Sequence, residues 1–176
     1  MKKRLATFLL TGILLTGCHK AIVTQISSSQ NVVSAVKSAI EKEFEDIAVQ
    51  ANQGDAEAQY SLAVMYDEGE GTREDNAKAI EWYTKSANQG YDLAQYNLAI
   101  MYDDGEGVDQ DRSKAIEWFT KAANQGYAKA QLELSRTYYN YDGKGTREDY
   151  DKHIDWRTKA VNQGIGPMKF INGVPH

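Results

Sequence analysis

The sequence predicts an all-α fold, a short solenoid of stacked helical hairpins, and three observations carry that prediction. The tripeptide Asn-Gln-Gly occurs at 52–54, 88–90, 124–126 and 162–164, in steps of 36, 36 and 38 residues. Trp82, Trp118 and Trp156 follow the same register, as do the Gly-x-Gly pairs Gly69/Gly71, Gly105/Gly107 and Gly143/Gly145. Between these marks the apolar residues recur at helical spacing. The extra two residues of the last period place an insertion between Tyr138 and Gly143.

Composition narrows the function classes. A chain of 176 residues suits one domain or a short repeat array, and 41% hydrophobic residues is too many for wholesale disorder. One Cys cannot close an internal disulfide. A net charge of -5 and a pI of about 5.2 lack the electrostatic footprint of a nucleic-acid binder, so no nucleic-acid partner is expected.

Taken in order, residues 1–17 read as a signal peptide: Met1-Lys2-Lys3-Arg4, then an apolar run from Leu5 to Leu15 that is too short for a permanent membrane span. Leu15-Thr16-Gly17-Cys18 resembles the bacterial lipobox, which implies acylation of the Cys18 thiol and cleavage just before it. Acyl chains bind membranes through about 0.8 kcal/mol per buried CH₂. His19 after the Cys, in place of Asp, favours the outer membrane by resemblance to enteric-type lipoproteins. The expected location is therefore the bacterial cell envelope, lipid-anchored and facing the periplasm. Without Lys2, Lys3 and Arg4 the balance becomes 17 basic against 25 acidic residues, or -8. Residues 18–31 hold the lipidated Cys and a Ser- and Gln-rich stretch expected to act as a flexible tether reaching about 20 Å.

Residues 32–54 read as an N-terminal capping helix, since Val33, Val36, Ile40, Phe44, Ile47 and Ala51 share one helical stripe. Three repeats follow over 55–164, at 55–90, 91–126 and 127–164. In each, a first helix carries Ala58, Leu62, Ala63 and Tyr66 or their counterparts Ala94, Leu98, Ala99, Tyr102 and Ala130, Leu134, Ser135, Tyr138. The Gly-x-Gly loop ends it, since Gly reaches positive φ without steric cost. A second helix is expected to start near Asp75, Asp111 and Asp149, good N-cap types. It carries residues such as Ala79, Ile80, Trp82, Tyr83 and Ala87 and stops at Asn-Gln-Gly. One such pair cannot bury its apolar face alone, so neighbours must stack. In the last unit Ala115 and Phe119 become His153 and Arg157, which reads as a wetter capping surface. The tail 165–176, with Met168, Phe170, Ile171 and Val174, is expected to fold over the open end.

The pattern A-x-A-Q-Y-x-L-A-x-M-Y-x-x-G-x-G, then D-x-x-K-A-I-E-W-Y-x-K-A-A-N-Q-G, resembles the Sel-one-like repeat (SLR), kin to tetratricopeptide repeats, over about residues 42–164. The resemblance implies an α/α right-handed superhelix of helix-turn-helix repeats used for protein binding. Some small secreted or lipidated members resemble immunity proteins against phospholipase toxins delivered by contact-dependent (type VI-like) secretion; an envelope scaffold for assembly or secretion is the alternative role.

Catalysis needs a tunable acid or base, or a strong nucleophile. His19 abuts the anchor, His176 is the last residue, and His153 replaces a repeat Ala and is expected on the surface of the capping unit. Cys18 is consumed by lipid. H-E-x-x-H, Walker-type and G-x-S-x-G motifs do not occur. The loops Asp67-Glu68-Gly69-Glu70-Gly71 and Asp103-Asp104-Gly105-Glu106-Gly107 superficially suggest calcium, but Gly stands where a binding loop needs a ligand, and they read as structural turns. No catalytic residue, metal or cofactor is assigned. The rival of a different class, a cell-wall or β-lactam-acting enzyme, finds no nucleophile to support it.

A partner site is sought where the copies differ from one another. Glu57/Leu93/Lys129, Ser61/Asn97/Glu133 and Val64/Ile100/Arg136 fall at i, i+4 and i+7, a stripe read as opposite the packed face. In tetratricopeptide-like arrays such a stripe lines the concave groove. The candidate partner-binding residues are therefore Leu93, Asn97, Ile100, Lys129, Glu133 and Arg136, joined by Tyr139 and Tyr141 of the insertion, which are surplus to the repeat and of a type enriched at binding hot spots.

Overall fold

The computed structural model describes residues 15–139, 146–165, 170–171 and 174–175, with side chains described for 31–139 and 146–165. Within these residues the chain forms helices α1 (Leu15–Asn52), α2 (Ala56–Glu68), α3 (Asn76–Asn88), α4 (Asp92–Asp104), α5 (Arg112–Asn124), α6 (Ala128–Tyr138) and α7 (Arg147–Asn162). Two short strands follow: β1 (Phe170–Ile171) pairs antiparallel with β2 (Val174–Pro175). The side chains of the tail lie outside the described residues, and with them the expectation that it covers the open end.

The chain divides into two units, Met1–Lys42 and Glu43–His176. In the first, α1 runs through the stretch expected as a tether over 18–31. The reason is local: between Cys18 and Gln53 there is no Pro or Gly to break a helix. Val32, Val33 and Val36 of this unit are exposed.

The second unit is the repeat array, with consecutive helices packed pairwise from α2 to α7. Three buried clusters run along it. Ala51, Ala58 and Leu62 join the end of α1 to α2, with Phe44, Ile47 and Ala48 packed alongside. Ala63, Ala79, Tyr83, Ala87, Ala94, Leu98 and Met101 form the next, and Ala99, Ala115, Phe119, Ala122, Ala123, Ala130 and Leu134 the third. Half-buried Trp82 packs against the first two clusters and Trp118 against the last two, so each indole bridges neighbouring hairpins.

The breaks follow from the residues at them. Gly69 and Gly105 end α2 and α4 in the left-handed conformation, at φ 70° and 77°, and donate back to the carbonyls of Met65 and Met101. Both acidic loops are thus turns that close a helix. Gly107 (φ 69°) also lies against the preceding unit: a Cβ there would meet Asn76 Cβ at 2.6 Å. Asp75 and Asp111 are the N-caps of α3 and α5, accepting from Lys78 N at 3.1 Å and Lys114 N at 3.0 Å. The third second-helix differs from expectation. Its N-cap is Thr146, and Asp149 is the other half of a capping box, so α7 begins earlier in its unit and spans 16 residues.

Candidate protein-binding face

The positions that repeat are occupied by structural work. Gln59 donates to the Ala51 carbonyl at 3.1 Å and accepts from Gln89 at 2.7 Å. Gln95 repeats this with Ala87 (3.0 Å) and Gln125 (2.8 Å), and Gln131 with Ala123 (3.1 Å) and Gln163 (2.9 Å). Each buried amide satisfies a carbonyl near the end of the preceding helix and is held by the Gln of the following Asn-Gln-Gly. This ladder explains why both glutamines recur, and the signal was present in the constant spacing of Gln59/Gln89 and Gln95/Gln125.

The tryptophans form a second repeated device. Lys85, Lys121 and Lys159 place their ammonium groups 3.7, 3.6 and 4.1 Å from the ring centres of Trp82, Trp118 and Trp156. The same lysines pair with Glu81, Glu117 and Asp155 at 2.7, 2.7 and 2.6 Å. These lysines of α3, α5 and α7 are thus matched with acids and rings of their own helices.

The face built by the first helices is different. Tyr91 and Tyr127 are the N-caps of α4 and α6 and make no side-chain cap bond. Their rings instead meet Tyr60 at 5.2 Å and Tyr96 at 5.1 Å. Tyr60 and Tyr96 in turn lean on Tyr83 (5.9 Å) and Phe119 (5.7 Å). The buried Tyr83 hydroxyl donates to Asp67 Oδ2 at 3.3 Å and accepts from Asn97 Nδ2 at 3.0 Å. Burial pushes the Tyr83 phenol far above its usual range, only partly offset by the Asn97 bond, so it stays a neutral hydrogen-bonding group. Burial likewise raises Tyr60 and the carboxyl of Asp67.

The predicted stripe is brought together in part. Leu93 is half-buried on the first turn of α4, and Lys129 is exposed. Asn97 is committed to Tyr83, and Ile100 packs against the third buried cluster, so the stripe borders the packed face and is not opposite it. The helix rotation that puts Leu98 and Ala99 inward leaves Asn97 and Ile100 on the shoulders of the core. Arg136 and Glu133 pair with each other at 2.7 Å. Tyr139 is half-buried as the C-cap of α6, its ring 4.8 Å from His153, and is no freely exposed tyrosine. Tyr141 lies outside the described residues, as does the side chain of Cys18.

His153 corrects a second expectation. It is 4% exposed, not on a capping surface. Nδ1 lies 2.7 Å from the Ser135 carbonyl and 3.1 Å from Ser135 Oγ. Because a carbonyl oxygen only accepts, Nδ1 carries the proton of this bond and donates to it. No described helix is long and apolar enough to cross a membrane.

Beside α2 opens a cleft of about 280 Å³ lined by Glu43, Ile47, Tyr60, Ser61, Val64, Met65 and Glu70, which the sequence reading did not single out. Its signal in the sequence is the distribution of charge: α2 and α4 contain six acids and no Lys or Arg.

Known proteins place this architecture. Residues 56–91, 92–127 and 128–165 each match the Sel1 repeat, one residue offset from the periods read above. A protective antigen with an SLR fold from uropathogenic Escherichia coli strains is 36% identical with TM-score 0.63, over 69% of this chain and 26% of its own. A Sel1 repeat protein from Oxalobacter formigenes is 34% identical with TM-score 0.64, over 71% of this chain and 36% of its own. This chain thus spans about a quarter to a third of those chains. No curated protein matches it. With three matched repeats covering most of the sequence, the chain belongs to the Sel1 repeat family.

Proposed function

We propose that the chain is a lipid-anchored, periplasm-facing module that binds a partner protein through the face formed by α2, α4 and α6, and carries out no chemistry of its own. The Sel1 repeat is a fold used for protein–protein interaction, and its members are generally non-catalytic scaffolds. The observation that carries the reading is the division of labour just described. Recurring residues are spent on the glutamine ladder and the Trp–Lys pairs. The aromatic, half-buried and variable residues collect on the first-helix face. A face held rigid by its own hydrogen bonds docks a partner with little rearrangement.

Anchoring through Cys18 rests on the leader and lipobox pattern, and would raise the effective concentration of the module toward membrane-associated targets. Two finer roles suit a tethered binder: neutralising a lipid-attacking toxin of the phospholipase class, and holding together an envelope assembly. The test is a photo-crosslinking residue at Leu93 in cells, with Cys18→Ser as companion. The expected results are a discrete adduct from Leu93, and loss of the protein from the membrane fraction on Cys18→Ser. Rescue of cells from a phospholipase toxin selects the first role; a multi-protein envelope complex without rescue selects the second. A Leu93 probe that captures nothing overturns the binding reading.

A further inference from the structure

The cleft beside α2 has an apolar floor and an acidic rim. Ile47, Tyr60, Val64 and Met65 supply the floor, and Glu43 and Glu70 stand among its lining residues. Both carboxylates are exposed, and among the described residues neither is in a salt bridge. Acids outnumber bases in the chain around them, where Lys42 adjoins Glu43 and Arg73 follows Glu70. The nearer stretch of α1 brings Glu45 and Asp46, and α2 brings Glu57, Asp67 and Glu68. Apart from Arg73 in the loop after α2, the cations of the array's first two units sit on the other helices: Lys78 and Lys85 on α3, and Arg112, Lys114 and Lys121 on α5. Those lysines are already engaged with Asp75, Glu81, Asp111 and Glu117.

The occupant follows from this complementarity. An apolar floor with one aromatic wall takes the methylene stem and flat face of an arginine, which stacks on rings and is more weakly hydrated than an ammonium. Free carboxylates at the rim take the guanidinium donors. Clefts bounded by charge of one sign and low-dielectric walls also draw in opposite charge from a distance. We propose that this cleft is the docking site for an arginine-bearing segment of the partner protein, with Tyr60 as the stacking surface and Glu43 and Glu70 as the charge partners. Among the first helices α2, α4 and α6, only α6 carries basic residues, Lys129 and Arg136. That asymmetry lets a partner segment with arginine at one end and acid at the other bind in a single direction.

This inference deepens the protein-binding reading and rests on it, so the experiment separates the two. The full chain is titrated calorimetrically with three ten-residue Gly/Ser/Leu peptides of one framework, carrying two Arg, two Leu or two Glu at the same positions. The Arg peptide is expected to bind and the other two to bind at least about tenfold more weakly, with the Arg affinity falling about tenfold in Glu43→Gln plus Glu70→Gln. Glu81→Gln, on α3 and outside the cleft lining, is expected to leave it unchanged. Equal binding of the Leu peptide, no binding of any peptide, or indifference to the Glu43 and Glu70 changes overturns the inference. A chain that ignores the Arg peptide yet crosslinks a partner through Leu93 retains its binding role and loses this site. A chain that takes the Arg peptide but captures nothing from cells keeps the site and loses the role proposed for it.

Discussion

In the second unit Ala99 of α4 and Ala115 of α5 are buried in one cluster; in the third unit the same two positions hold Ser135 and His153, also buried. Phe119, 3% exposed, becomes the half-buried Arg157. α4 ends at the left-handed Gly105, whereas α6 ends at the extended Tyr139, before Gly143, the counterpart of Gly105 in the repeat. The interior unit has a hairpin on each side, whereas α7 is the last of the described helices. At these two positions the interior unit is filled by Ala. The third unit holds a polar pair there instead, His153 bonded through Nδ1 to Ser135, with its Nε2 buried and without a partner among the described residues.

The strongest way to break this comparison is to cut the same methyl groups out of each unit. Leu98 and Leu134 are both fully buried. Leu→Ala in a packed core costs about 2–5 kcal/mol. Leu98→Ala removes packing that joins α2–α3 to α4, so it should lower the single unfolding transition of the whole array. Leu134→Ala should instead open α6 and α7 first and leave the amides of α2–α5 protected. Hydrogen exchange read helix by helix distinguishes the two; identical patterns of opening would show that the third unit is no weaker an end than the second.

Gly107 and Gly126 sharpen the comparison at the joints. Both have positive φ, at 69° and 95°, so Ala at either position incurs a left-handed backbone cost of about 1–2 kcal/mol. Only Gly107 faces the preceding unit: a Cβ there meets the Cβ and backbone of Asn76 at 2.6–2.9 Å, whereas nothing lies within 4 Å of one at Gly126. Gly107→Ala should therefore cost about 1–2 kcal/mol more than Gly126→Ala in urea denaturation. Equal losses would mean that the loop yields at Asn76.

These joints mark how far the sequence is legible. Period, helix order, the glycine stops and the Asp75 and Asp111 caps follow from local chemistry, and one chain carries enough copies to expose them. What it does not carry is which side of a recurring residue faces a neighbour. Asn97 varies among copies yet is committed, because its partner Tyr83 also varies, becoming Phe119 in the next unit. His153 is polar and single, which signals a surface; its burial depends on Ser135 changing in concert, 18 residues earlier. Only the acidic bias of α2 hints at the cleft, because Glu43 comes from α1 and Glu70 from the loop after α2, far apart in the sequence.

The Ser135–His153 exchange gives the next test. His153→Ala leaves a cavity and strips Ser135 of its partner, a loss of about 2 kcal/mol. Ser135→Ala removes a hydroxyl while the Ser135 carbonyl remains to accept from Nδ1, a loss of about 1 kcal/mol. Together they recreate the Ala–Ala pair of the second unit, so the double variant should be more stable than the sum of the singles by about 0.5–1 kcal/mol. Strict additivity in chemical denaturation would dissolve the idea that the two residues replace a single interior contact.

The smallest effect separates the two kinds of second-helix cap. The Asp111 carboxyl is held below its usual range first by the backbone N–H of Lys114, and Asp149 first by the Thr146 hydroxyl. A carboxyl whose folded pKa is depressed contributes stability that is present above its unfolded value, about 3.9, and is lost as pH falls through the folded one. Both caps should therefore weaken as pH falls below about 4. Asn caps a helix as well as Asp does, so Asp111→Asn should preserve the start of α5 at neutral pH and flatten the acid loss. At Asp149 the carboxylate accepts from both the backbone N–H and the hydroxyl of Thr146 through one oxygen, Oδ2, at 3.0 and 2.7 Å. An amide that turns its nitrogen away can still present one oxygen to both donors, but without the charge that strengthens each bond. Asp149→Asn should thus lower stability slightly even at pH 7, where Asp111→Asn does not. Thermal unfolding at pH 7 and pH 3 reads the difference, and a neutral-pH loss confined to Asp111→Asn would reverse the assignment of which cap depends on charge.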